Sequence, residues 1–397
     1  MKKILLSAAV AAMALTTTAS ALEDIKVNGQ AKVWYETNNG GATGLFDKKN
    51  ATGELTFKLG MTGKKGNVGF GATIVQTGTL GLTTNLVNGA RSGAANTSTT
   101  TPAGVVDGDM FVSEMYITAP LGAKTLLKLG KQELQTPLAF TEKWASVNNT
   151  FDAAVVINNS ISNVTLVAAY VGQSNGAALN LNNGFTGSYL NPTGTAGGAG
   201  ATYMLAFHYK GGVAVNGFAY SIQNVAKAYW IDASTKLAGA KVKGYAVHMA
   251  TETVGADNTN AFALSAGMKA GSVNLFAAAS TVSDSNAVAA SLAVGNTATG
   301  SKKTKLPTMG YYLDGLAVSQ PGSTALKLKA SGKAAGMGLA LQGIRDDNSN
   351  TNLTQNELNF IVTKKLGDFN VKTVLMHRDF ENTPSQQHVR VIASVNF

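Results

Sequence analysis

The residues of this chain that carry chemistry at a regular spacing are charges. Lys26 and Lys32 lie near the start, Lys327 and Lys329 share one stretch, Lys372 and Arg378 share another, and Arg390 stands near the end. Each belongs to a run in which polar and apolar residues alternate, so all seven fall on the polar side of an extended strand. Glu54, Glu114, Asp152 and Glu357 take corresponding positions in other runs, while Glu133, Glu142 and Asp314 fall in the longer connections. A wall of fixed positive charge raises the local concentration of anions, and acidic loops facing it set a field across the gap. Such a set can sort small polar or zwitterionic solutes. The plainer alternative is that the charges only keep an interior wet.

Catalytic chemistry has less support. There is no Cys, and the four His residues, His208, His248, His377 and His388, sit in no recognisable motif. His208 and His388 fall on the polar faces of different strands, where a solvated side chain is the simpler reading than a Ser/His pair. Asp107-Gly108-Asp109 and Asp346-Asp347-Asn348-Ser349-Asn350 offer hard oxygen ligands without the full spacing of a calcium loop. We therefore expect no enzymatic activity, no metal and no cofactor. The net charge of +10 is spread over dispersed lysines instead of K/R-rich runs interleaved with aromatics, which argues against nucleic acid as a partner.

The elements that hold these charges read as strands. From Gln387 to Phe397, Val389, Val391, Ala393, Val395 and Phe397 share one face, and His388, Arg390, Ile392, Ser394 and Asn396 share the other. Ile25 to Glu36 and Gly53 to Thr62 repeat the pattern, with Leu55, Phe57, Leu59 and Met61 on one side and Glu54, Thr56 and Lys58 on the other. Period-two alternation over about ten residues, recurring along the chain, is the signature of a transmembrane β-barrel. The fold class is all-β: an antiparallel barrel of eighteen such stretches, with sixteen also compatible. The 44 glycines and 14% charged residues agree with strands over helices.

Connections alternate in length. Gly211-Gly212, Leu237 to Ala240, Gly271-Ser272, Gly332-Lys333-Ala334 and Leu366-Gly367-Asp368 are short and face the periplasm in this reading. Thr77 to Gly108, Gln132 to Asn149, Gly172 to Ala201 and Val282 to Gly322 are long, polar and external, far beyond the usual connection of a compact soluble domain. Those near 132–149 and 282–322 are expected to fold inward. No change of composition marks a second domain within 22–397.

The amino terminus reads as an export signal. Met1-Lys2-Lys3, the apolar run Ile4 to Leu15 and the small residues Ala19-Ser20-Ala21 predict cleavage after Ala21. The net charge of +10, less Lys2 and Lys3, is then +8. No other apolar run reaches the roughly 18 residues of a membrane helix, so a membrane protein of this sequence has to be a barrel.

Leu129-Gly130-Lys131-Gln132-Glu133-Leu134-Gln135-Thr136-Pro137-Leu138, followed by Asn149-Thr150-Phe151-Asp152-Ala153-Ala154-Val155, resembles the G-R-Q-x-L-D-T-P-L signature of OprD-like porins. It looks closest to the major outer-membrane porins of Campylobacter-type, epsilonproteobacterial species. Lys131 stands for the usual Arg and Gln135 for the usual Asp. The resemblance implies an eighteen-stranded homotrimer in a Gram-negative outer membrane, narrowed by its third and seventh external loops, the seventh holding Met309 to Gly315. It implies a water-filled channel for passive diffusion of ions and small hydrophilic solutes. A channel selective for carboxylates, amino acids or short peptides is the alternative, and a surface adhesin is a third reading. Expected partners are outer-membrane lipid, lipopolysaccharide and the barrel assembly machinery, for which Phe397 would be the assembly signal.

Overall fold

The computed structural model describes residues 22–40, 44–79, 82, 85–89, 110–144, 146–174, 201–285, 291–381 and 383–397. The expected signal (1–21), most of the long connections 79–109 and 175–200, and the Asp107-Gly108-Asp109 cluster lie outside the described residues.

Alternation produces eighteen strands in a single sheet. They are β1 (Glu23–Asn38), β2 (Ala51–Lys65), β3 (Val68–Gly78), β4 (Met110–Gly122), β5 (Thr125–Gln132) and β6 (Phe151–Asn158), then β7 (Val164–Ser174), β8 (Thr202–Tyr209), β9 (Ala214–Ile222), β10 (Ala226–Leu237), β11 (Ala240–Thr251) and β12 (Thr259–Ala270). The last six are β13 (Val273–Val282), β14 (Ser323–Ala334), β15 (Met337–Asn348), β16 (Leu353–Leu366), β17 (Phe369–Phe380) and β18 (Thr383–Asn396). Each pairs antiparallel with its neighbours, and β1 pairs with β18 from Gln30↔Asn396 to Asn38↔His388, closing the barrel. Helical pieces include the 3₁₀ turns Lys48–Asn50 and Thr297–Thr299, and no helix among the described residues is long and apolar enough to cross a membrane.

Facing directions follow the alternation. Val27, Met115, Leu205, Phe262, Leu264 and Leu328 stand exposed on the outer wall, while Trp34, Glu54 and Ala325 of the same sheet are buried inside. Tight turns join the ends opposite the long loops. Ala238-Gly239 and Ala335-Gly336 both take positive φ at each position, the mirror-image turn whose twist matches that of the flanking strands. The second of these turns lies three residues beyond its expected place at Gly332-Lys333-Ala334. Gly332 is a strand residue in close approach to the Ser272 carbonyl, 3.2 Å from where a Cβ would stand, and β14 runs on to Ala334.

The inner wall departs from expectation on one side. From β6 to β13 it carries a continuous run of buried apolar residues, including Val155, Val171, Met204, Phe218, Trp230, Val247 and Met249, beside a buried Asp232 paired with Lys243 at 2.8 Å. A face turned inward is not there a face turned to water. Alternation survives because small or aromatic apolar residues on the inside still differ in exposure from the large ones outside.

The seam is finished by the last residue. Gly29 and Phe397 exchange backbone hydrogen bonds of 2.7 and 3.1 Å, and the Phe397 ring stacks on Phe57 with centroids 5.7 Å apart. The ring lies over Gly29, where any side chain would collide with it. Phe397→Ala should lower the thermal or urea midpoint of the folded barrel by an amount corresponding to about 1 kcal/mol, the worth of an aromatic pair. An unchanged midpoint would show that the backbone pairing alone holds the seam.

Candidate functional site

Two external connections occupy the lumen: loop L3 (133–150), between β5 and β6, and loop L7 (283–322), between β13 and β14. Leu134, Leu138 and Ala139 of L3 and Leu292, Val294 and Leu306 of L7 form one hydrophobic core with the inner wall of β6 to β13. The Gly130-to-Leu138 motif makes this possible. Gly130 has φ +117 and runs so close to the Met115 carbonyl that a Cβ has no room. The buried Gln132 amide donates to the carbonyls of Gly130 (3.2 Å) and Ala153 (3.0 Å). Thr136 then turns the chain by donating to Ala139 O at 2.6 Å, and Leu138 is driven fully out of solvent. Its amide reaches the Tyr220 hydroxyl (3.4 Å), and its carbonyl accepts from Thr297 N of L7 (2.9 Å).

Glu142 joins the two loops. Buried in L3, it accepts from the Asn296 amide (2.9 Å) and the Thr299 hydroxyl (2.5 Å) of L7, and from the Trp144 indole. The Asn296 amide also donates to Phe140 O at 2.7 Å. A carboxylate expected to face the aperture is instead a staple behind it, because three donors converge on a buried group.

The opposite half of L7 is held by the expected basic wall. Lys327 donates to Met309 O at 2.5 Å, and Lys303 bridges Tyr311 O (3.0 Å) and the Asp314 carboxylate (2.7 Å). The Arg378 guanidinium lies 4.6 Å from the Tyr312 ring centroid, and the Lys372 ammonium 5.0 Å from that of Tyr311. Arg390 is almost wholly buried, bonded at 2.6 Å to an equally buried Glu36. Glu36 also takes the Tyr312 hydroxyl, and the His388 ring lies 4.2 Å from that of Tyr312. Glu357 receives the backbone amides of Tyr311, Tyr312 and Leu313.

The remaining expected residues are placed as follows. Lys26 is exposed near the turn end of β1, and Lys329 is half-buried on the inner face of β14. Glu114 points inward and accepts from Thr73 at 3.2 Å. Glu54 is fully buried on β2, and Lys32 donates to Ser146 O of L3 at 3.2 Å. Asp152 departs from expectation. Phe151 and Ala153 take the buried inner positions of β6, so Asp152 is turned to the outer wall, where it pairs with Lys131 at 2.7 Å opposite the exposed Met115.

Several charged residues stand at the site besides those expected to line it. Glu36 lies on the polar face of the first strand, but its partner Arg390 comes opposite it only when the barrel closes. Lys58 and Lys128 also point inward, Lys128 lying 3.7 Å over the Tyr116 ring. Lys143 is exposed on L3, 3.6 Å from Glu133, whose carboxylate also accepts from Asn148 at 2.8 Å. Lys58 interacts with Glu133, Glu114 and Lys143, and Lys305 of L7 with Lys143. Lys58 was visible on the alternating face of its strand; Lys143 and Lys305 belong to loops where no periodicity assigns direction.

No protein-family profile and no curated protein sequence matches the chain. Solved structures do. Pseudomonas aeruginosa OccK3 (OpdO) aligns over 96% of this chain and 97% of its own with a TM-score of 0.71 at 13% identity. A BenF-like porin from Pseudomonas fluorescens Pf-5 aligns over 95% and 99% with a TM-score of 0.73 at 13% identity. Pseudomonas aeruginosa OccK2 (OpdF) aligns over 94% and 98%, with 0.71 at 14%. This chain has their fold.

In chemical terms the loops fill one side of the barrel with a dry core and leave lysines and carboxylates of β1 to β5 and L3 on the other. If the dry core positions the loops, Leu138→Ala should open a cavity costing about 2 to 5 kcal/mol. Hydrogen exchange of the 134–141 amides in the folded protein should then accelerate. Unaltered exchange there would place the anchoring elsewhere.

Proposed function

We propose that this chain is an outer-membrane porin that passes ions and small hydrophilic solutes passively through the gap beside L3 and L7. The observation that carries the reading is a closed barrel whose lumen is narrowed by two loops with a hydrophobic anchor on β6 to β13. Lys32, Lys58, Lys128 and Lys143, with Glu114 and Glu133, line the side left open. The motif around Gly130 to Leu138 supports an OprD-like relationship, nearest to the Campylobacter-type porins. The export signal ending at Ala21 supports residues 22–397 as one exported barrel domain in the outer membrane, in contact with lipid and lipopolysaccharide. Assembly as a homotrimer and delivery by the barrel assembly machinery, with Phe397 as its signal, belong to the same reading.

A second reading, selectivity for carboxylates, amino acids or short peptides, is favoured by the placement of these lysines and carboxylates together beside L3. A solute carrying both signs meets a partner for each.

Purified protein in a planar bilayer should give stepwise, ohmic conductance, and well-folded material without steps would sink the porin reading. The combined Lys58→Gln and Lys143→Gln variant should move the reversal potential in a salt gradient toward cation preference. An equal shift from Lys327→Gln alone would instead put the selective charge on the L7-bearing wall. Millimolar amino acid or dicarboxylate should reduce the wild-type current if the second reading holds.

A further inference from the structure

Glu357 was expected to line the pore as an acidic charge, yet only about 2% of its surface is exposed, and its carboxylate is enclosed by donors. One oxygen accepts from Tyr311 N (2.7 Å) and the Asn359 amide (2.6 Å), the other from Tyr312 N (2.7 Å) and Leu313 N (2.6 Å). Three successive backbone N–H groups converging on one anion form a nest. The turn behind them is fixed by Gly310 N donating to Leu313 O at 2.7 Å. At Gly310 a Cβ would stand 2.7 Å from one Glu357 oxygen and 3.1 Å from the other, so the backbone approaches the carboxylate as closely as a residue without a side chain allows. Arg378, paired across the strands with Glu357, is occupied over Tyr312 and not in the nest.

We infer that Glu357 is a positioning residue: its carboxylate seats the Tyr311–Leu313 segment of L7 against β16 and thereby sets the cross-section of the lumen. This rests on the channel reading for its consequence, although the seating itself does not. The chemistry is specific to an anion with two equivalent acceptors. An amide in the same place offers one carbonyl, so either orientation leaves two donors facing an NH2 group. Aspartate keeps both acceptors on a shorter stem.

The test compares Glu357→Gln, Glu357→Asp, Gly310→Ala and, as a control, Glu114→Gln, each refolded in detergent. Hydrogen exchange of the Tyr311, Tyr312 and Leu313 amides should rise at least about tenfold in Glu357→Gln, the factor for losing one charge-assisted hydrogen bond. Gly310→Ala, which pushes on the same contact from the loop side, should do likewise. Glu357→Asp should fall between them and wild type, and the control should not change. In bilayers, Glu357→Gln should broaden open-channel noise and raise unitary conductance without moving the reversal potential. Unchanged exchange in both Glu357→Gln and Gly310→Ala would overturn the inference. So would a reversal-potential shift with exchange unaltered, which would return Glu357 to the pore surface. If wild-type protein shows no conductance steps, the channel reading fails while the exchange data still decide the seating. Should Glu357→Gln not fold, Gly310→Ala against Glu357→Asp decides it.

Discussion

In hydrocarbon, an unpaired backbone N–H or C=O costs several kcal/mol, so a sheet standing in lipid has to close on itself. Here closure is the pairing of β1 with β18, and more than the backbone depends on it. Glu36 and Arg390 become cross-strand partners only in that register. Their ion pair is buried, where breaking it by removing one partner costs about 3 to 5 kcal/mol because the other charge is stranded. Tyr312 of L7 then bonds to Glu36, so the loop inside the lumen is tied to the seam that makes the lumen.

That dependence explains how L7 holds a long path through a barrel with only one 3₁₀ turn among its described residues. Its first half is fixed by burial, with Leu292, Val294 and Leu306 in the core shared with L3. Its second half is fixed by polar groups: Lys327 on Met309 O, Lys303 on Asp314, and Glu357 in its nest. The two modes suit their walls. The inner residues of β6 to β13 offer mainly apolar area, with the Tyr220 and Ser280 hydroxyls as partners, whereas β14 to β18 and β1 offer charges that would be costly to bury alone. Each loop segment lies where its own composition matches the wall beneath it.

The same division marks how much could be read in advance. Eighteen strands, their facing directions and the alternation of short and long connections were legible because strand side chains alternate between two faces, and a closed barrel gives the two faces different surroundings. The turn at Ala335-Gly336 was misplaced since glycine in a strand and glycine in a turn look alike until a close contact such as Gly332 with Ser272 is known. Asp152 was misassigned for a related reason: the buried Phe151 fixes the parity of β6, and its burial comes from L3, not from β6 itself. The inward direction of Glu54, Glu114, Lys327 and Arg390 was legible, but their partners were not, because those lie on loops or across the seam.

Direction without partners is a weak guide to what a charge does. Lys327, Arg378, Arg390, Glu142 and Glu357 all carry formal charge within the barrel, and all are engaged in holding L3 or L7. Arg390 and Glu36 form an ion pair at contact distance, a dipole whose field falls off faster than that of a lone charge. Lys143 stands exposed on L3, 3.6 Å from the Glu133 carboxylate. The buried charges therefore fix the course of L3 and L7 through the barrel.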